Sequence, residues 1–153
     1  MKTLTIFNVL LLMALCAAGQ NINPNYDSTL AKTLGADEYG MKAYVLVILK
    51  TGNATVEDKA TVDSLFAGHL KNIDRLASLG KLIVAGPLGK NGNGYRGIFI
   101  LNVTTFEEAN ELLQTDPAIK EKVLEADLYK WYGSAALPAY LETHKRAGKY
   151  KIQ

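Results

Sequence analysis

The chain has 153 residues, 17 Lys and Arg against 15 Asp and Glu, a net charge of +2, 48 % hydrophobic residues and one cysteine. That length suits one ordinary domain with a real core, and the near-neutral charge gives no basis for nucleic acid or an anionic membrane surface as partner. One cysteine excludes an internal disulfide.

The N-terminal stretch MKTLTIFNVLLLMALCAAGQ carries Lys2, an apolar run from Val9 to Leu15 and small residues from Cys16 to Gly19. This is the layout of a secretory signal peptide over 1–19, and the run falls short of the roughly 20 apolar residues a membrane span needs. Cleavage at Gly19–Gln20 predicts a secreted or periplasmic protein with no membrane contact after processing. Two alternatives are a lipidated Cys16, which the bulky Leu15 before it disfavours, and an uncleaved apolar anchor. Cleavage removes the only cysteine, so the mature chain of about 134 residues has no thiol nucleophile and no thiolate metal site.

Residues 20–41 form a polar leader. Its QNINPNYDS start is Asn-rich and predicted to be partly disordered, and DSTLAKTLGA predicts two helical turns capped by Asp27 or Ser28. AYVLVILK (43–50) is a strand apolar on both faces, as a strand covered on both sides should be. A helix follows from about Val56 to Leu79, with Gly80 at the C-cap glycine position. KLIVAG (81–86) and YRGIFILNV (95–103) are two more strands, joined by the turn-rich PLGKNGNG into an antiparallel hairpin. TTFEEANELLQ is a helix with Thr105 and Glu108 as a capping box and Phe106, Ala109 and Leu113 as its buried stripe. TDPAIKEK ends it and adds one further turn. VLEADLYKWYG (123–133) is the fourth strand, and PAYLETHKRAGKY in the 135–153 extension predicts a surface helix.

Strand, helix, strand, strand, helix, strand is the split βαβ, ferredoxin-like pattern of an α+β fold. Such a sheet carries helices on one face, yet its first and third strands are apolar on both. The open face therefore has a second cover. A second copy of the sheet, giving a homodimer, is the simplest candidate; the leader and tail of the same chain are the alternative.

One residue breaks the apolar pattern. At 100° per residue, Val62, Leu65, Phe66, Ile73 and Leu76 all lie within about 60° of His69, so this histidine faces the sheet. Asp63 and Asp74 lie on the opposite side of the helix, so any carboxylate partner comes from elsewhere in the chain. A lone core histidine can simply have its nitrogens satisfied by backbone or hydroxyls. It can also serve as a general acid/base, since imidazole titrates near neutral pH and a carboxylate can fix its tautomer. Asp116, in TDPAI where Pro117 forces a turn, is the acid in the most distinctive setting; capping the following turn is its other role, and the two are compatible.

Other constellations say less. No His, Asp or Glu run has metal-ligand spacing, and His144 with Glu142 lies in the tail. Ser134 lacks a nucleophile-elbow setting, and GKNGNG is explained by the hairpin without a phosphate loop. NAT at 53–55 and NVT at 102–104 match glycosylation sequons. Arg96, at the start of the third strand, is a candidate for holding a substrate carboxylate or a strand-end surface arginine.

Taken together, YVLVILKTG, the helix carrying HLKNIDRLASLG, the segment KLIVAGPL, the hairpin into GIFIL, the helix with EEA, and DPAI before a last strand resemble the YCII-related family over roughly residues 42–134. The resemblance implies a ferredoxin-like domain that dimerises through its sheet into an α+β barrel. It also implies an active site holding a His–Asp pair, here His69 and Asp116, with Gly86, Pro87 and Leu88 in the pocket wall. The signal and the tail depart from the family pattern. The expected function is a small-molecule enzyme using His69 as general acid/base and Asp116 to orient it, by elimination, isomerisation or water-activated hydrolysis, with no cofactor and no metal. A non-catalytic small-ligand-binding module and a purely structural dimeric barrel are the alternatives.

Overall fold

The computed structural model describes residues 23–149; the expected signal peptide, its cleavage point and the last residues of the tail lie outside the described residues. The chain divides into two units, residues 1–30 and 31–153. In the first, the Asp27 carboxylate accepts from the Thr29 and Leu30 N–H groups at 2.9 Å and so starts α1 (Ser28–Leu34), a helix with no buried residue. No described helix is long and apolar enough to cross a membrane.

The second unit is an α+β layer structure of the expected ferredoxin-like class. Strands β1 (Met41–Thr51), β2 (Leu82–Pro87), β3 (Tyr95–Leu101) and β4 (Leu124–Ser134) form one sheet in the order β2-β3-β1-β4, every neighbouring pair antiparallel. Helices α2 (Lys59–Ser78), α3 (Phe106–Leu113) and the single turn α4 (Pro117–Lys120) cover one face. On that face Val45, Val47 and Leu49 of β1 and Phe99 and Leu101 of β3 pack against Leu76 of α2, Ala109 and Leu113 of α3 and Ala118 and Ile119 of α4.

Helix α2 starts at Lys59, three residues later than Val56. The Asp58 carboxylate decides this by accepting from the Ala60 and Thr61 N–H groups, leaving Val56 outside the helix. At the other end Gly80 takes φ +67°, and its N–H and that of Lys81 bond back to the Ala77 and Leu76 carbonyls at 3.0 and 2.9 Å. Only glycine adopts that left-handed turn without steric cost. The Thr105–Glu108 capping box forms by half: the Thr105 hydroxyl accepts from the Glu108 N–H, while the Glu108 carboxylate takes the Lys81 ammonium at 2.8 Å.

The other face of the sheet is covered in part by the tail, which is more than the expected surface helix. Leu137, from a 3₁₀ turn (Leu137–Ala139), and Leu141, from α5 (Tyr140–Ala147), pack, as Trp131 does, on Tyr44, Ile83 and Ile100. Two tyrosines fasten them: Tyr44 donates to the Ser134 carbonyl at 2.8 Å, and Tyr140 donates to the Ile83 carbonyl. Burial raises both phenols above their ordinary value and keeps them neutral donors. Farther along the same face Leu46, Ile48 and Ile98 are half-buried and Tyr129 is 47 % exposed.

Candidate acid–base site

Helix α2 crosses the sheet with His69 pointing inward, and its imidazole is only 11 % exposed. The ring stacks on Phe99 of β3 at 5.9 Å and meets Phe66, one turn earlier, edge-on at 6.1 Å. Neither Asp63 nor Asp74 reaches it: Asp63 pairs with Lys59, and Asp74 is exposed.

Its partner comes from 47 residues along the chain. Asp116 Oδ2 lies 2.6 Å from His69 Nδ1, and the carboxylate is buried. Local chemistry puts Asp116 there. It is the N-cap of α4, its Oδ1 accepting from the Ala118 and Ile119 N–H groups at 3.0 and 3.4 Å, with Pro117 at the first helical position. One oxygen caps the helix while the other faces the imidazole, so a single side chain fills both roles expected of it.

Close helix packing brings the pair together. A Cβ on Gly68 would stand 2.5 Å from Pro117 Cγ, so only glycine lets α2 approach α4 this closely. One turn further on, Asn72 is buried and its Oδ1 accepts from Arg75 Nε at 3.2 Å, Arg75 Nη2 at 2.8 Å and the Thr115 hydroxyl at 3.0 Å. Asn72, Arg75 and Thr115 carry no motif of their own. Their signal is spacing alone: Asn72 and Arg75 follow His69 at three-residue steps, and Thr115 precedes Asp116.

Because Asp116 is an acceptor throughout, the network assigns the imidazole proton to Nδ1. No described protein atom hydrogen-bonds Nε2. Every fully buried side-chain nitrogen or oxygen among the described residues does have a partner. Nε2 is therefore not fully buried, and its lone pair is left unengaged by the described residues. This is the arrangement of a histidine held by one nitrogen and usable at the other.

The remaining expected residues are placed unequally. In β2, Ala85 and Pro87 pair with Phe99 and Gly97, on the face that carries His69; Pro87 is exposed there, as a rim residue would be. Gly86 pairs with Ile98, and nothing lies within 4 Å of where its Cβ would be. Arg96 is exposed and is the unpaired residue of a bulge, since Leu49 pairs with Gly97 and Lys50 with Tyr95. Among the described residues no hydrogen bond or ion pair joins Arg96 to His69 or Asp116.

Two concavities lie elsewhere. One of about 240 Å³ sits between α3 and β4, against Leu113, Ile119 and Leu124. The other, of about 470 Å³, lies by Ala43, Asn102 and Tyr132. Neither includes His69 or Asp116. Among the described residues no group of three His, Cys, Asp or Glu is arranged to hold a metal.

No family model matches the chain, and no curated protein does. Among solved structures, the 5-chloro-2-hydroxyhydroquinone dehydrochlorinase of Burkholderia phenoliruptrix AC1100, in complex with 2,5-dihydroxybenzoquinone, aligns with a TM-score of 0.43 at 17 % identity, over 57 % of this chain and 92 % of that chain. What places this chain in the split βαβ class is its own strand order and pairing.

Proposed function

We propose that the protein is an acid–base enzyme of the YCII-related type, acting on a small organic molecule in the secreted or periplasmic space. His69 Nε2 takes a proton from the substrate, or from a water that attacks it, and returns it in a later step. Asp116 holds the proton on Nδ1 and stabilises the imidazolium that forms. The observation that carries this reading is the pair itself: Nδ1 on a buried carboxylate at 2.6 Å, with Nε2 unengaged by the described residues. Elimination, isomerisation and water-activated hydrolysis all fit, since each needs one positioned proton acceptor, a contribution of roughly 10²–10⁴-fold. Pro87 supplies part of the rim. A homodimer belongs to the same proposal, with Leu46, Ile48, Ile98 and Tyr129 as the surface for the second copy; a monomer by light scattering at micromolar concentration would remove that part.

The near-burial of the ring favours a second reading, a non-catalytic module in which Nε2 makes one hydrogen bond to a small ligand. The deciding experiment compares the mature protein with His69→Gln on a panel of carbon acids, β-substituted acids and lactones. Turnover by the wild type that His69→Gln lacks supports the enzyme. Equal turnover by both sinks it, and binding without turnover supports the module.

A further inference from the structure

We infer that Thr115, Arg75 and Asn72 are positioning residues, a second polar rung whose task is to hold Asp116 on the His69 imidazole. The inference rests on the His69 reading above but extends to residues that never touch a substrate.

Asp116 stands on a weak support. Its own helix, α4, is a single turn of four residues, and α3 before it ends at Leu113. An isolated turn does not hold its geometry in water, because nucleating a helix fixes several residues for one hydrogen bond. The corner from Gln114 to Pro117 therefore needs anchoring from outside, and α2 supplies it. Reading α2 forward and the corner backward gives three consecutive contacts: Gly68 with Pro117, His69 with Asp116, and Asn72 with Thr115.

Arg75 is the hub of the third contact. Its Nε and Nη2 both donate to Asn72 Oδ1, and Nη2 also donates to Thr115 Oγ1 at 2.6 Å. The Thr115 hydroxyl has one proton and two acceptors in reach, the Leu112 carbonyl at 2.6 Å and Asn72 Oδ1 at 3.0 Å. One guanidinium in the last turn of α2 thus ties Asn72 to Thr115, just past the end of α3 and one residue before Asp116. Loss of this rung leaves Asp116 able to cap α4 but free to drift from Nδ1 with its corner. The imidazole then samples both tautomers, and Nε2 keeps its lone pair free only part of the time.

The test is the ring ¹⁵N and Nδ1–H resonances of His69 in the mature protein, with His144→Gln assigning the signals. In Thr115→Val the Nδ1–H signal should broaden or vanish and the two ring nitrogens should shift toward each other, with Thr115→Ser restoring the wild-type pattern. If a substrate is in hand, kcat should fall about tenfold with KM unchanged, the scale expected for a small misplacement of a catalytic group. Arg75→Gln should give the same signature, and because Arg75 is exposed this variant carries the test if Thr115→Val fails to fold. Folded variants with unchanged His69 resonances overturn the positioning role, whatever His69 does. A wild type that turns over nothing while Thr115→Val still moves the resonances overturns the enzyme reading alone.

Discussion

Asp116→Asn replaces one carboxylate oxygen with an NH₂ group where both oxygens are in use. The retained oxygen can go on capping α4, since Asn caps helices as well as Asp. The NH₂ then meets His69 Nδ1 at the 2.6 Å position. Two N–H donors cannot bond to each other, so the imidazole proton moves to Nε2 and Nδ1 becomes the acceptor. A charge-assisted bond of about 1.5–3 kcal/mol is exchanged for a neutral one of about 0.5–1.5 kcal/mol, a loss of about 1–2 kcal/mol. A domain with roughly 5–15 kcal/mol in hand stays folded through this. Asp116→Ala should cost more, about 2–4 kcal/mol, because it also removes the cap and strands Nδ1. Urea unfolding of the three proteins measures both differences, with an unchanged slope confirming the same unfolding transition. In Asp116→Asn Nε2 is already protonated, so activity should fall by about 10²–10⁴-fold. An Asp116→Asn protein as stable as the wild type to within about 0.5 kcal/mol, with the His69 proton still on Nδ1, would refute the geometry on which all of this rests.

Three further perturbations test the frame around the pair. Gly68→Ala drives a methyl group against the rigid Pro117 ring, 2.5 Å away, and should cost about 1–3 kcal/mol and disturb the His69 resonances; an unaltered melting temperature would show that the helices separate freely. The Asp58 carboxyl is held below its ordinary value of 3.8, first by the Thr61 hydroxyl and then by backbone N–H groups. A depressed carboxyl contributes stability that is fully present above its unfolded value and is lost as the pH falls through the folded one. Stability followed by circular dichroism should therefore decline on acidification below 3.8, more steeply in the wild type than in Asp58→Asn; parallel curves would remove this role. Ending the chain after Ala136 uncovers Tyr44, Ile83 and Ile100 and should cost about 2–4 kcal/mol from two half-buried leucines and one hydroxyl bond. Trp131, the only tryptophan, reports it by a red shift in emission, and unchanged emission would mean that the tail does not cover the sheet.

Much of the second unit was legible in the chain because its signals are local. Short apolar runs rich in β-formers mark the strands, 3.6-residue periodicity marks the helices, and Thr105, Asp116 and Gly80 mark ends through bonds spanning two to five residues. The inward direction of His69 follows from the same periodicity. The start of α2 moved where a cap outweighed the apolar pattern, at Asp58 against Val56, and strand ends moved with the ladder, β1 running Met41–Thr51 rather than 43–50 and β3 ending at Leu101 rather than 103.

What tertiary structure alone decided lies across the fold. Periodicity places His69 and Asp116 on their own elements, but only the crossing of α2 over the α3–α4 corner brings them to 2.6 Å. Thr115 and Arg75 read as ordinary exposed residues until that crossing makes them neighbours. Arg96 illustrates the limit in the other direction. A strand apolar on both faces does not reveal a bulge, and only the pairing of β1 with β3 shows that Arg96 is the residue left over between Tyr95 and Gly97. The tail is a similar case, since a short amphipathic helix with one leucine, preceded by another in a turn, looks like any surface helix. Only the apolar far face of the sheet determines what it covers, because burial is a property of the surface met and not of the segment alone.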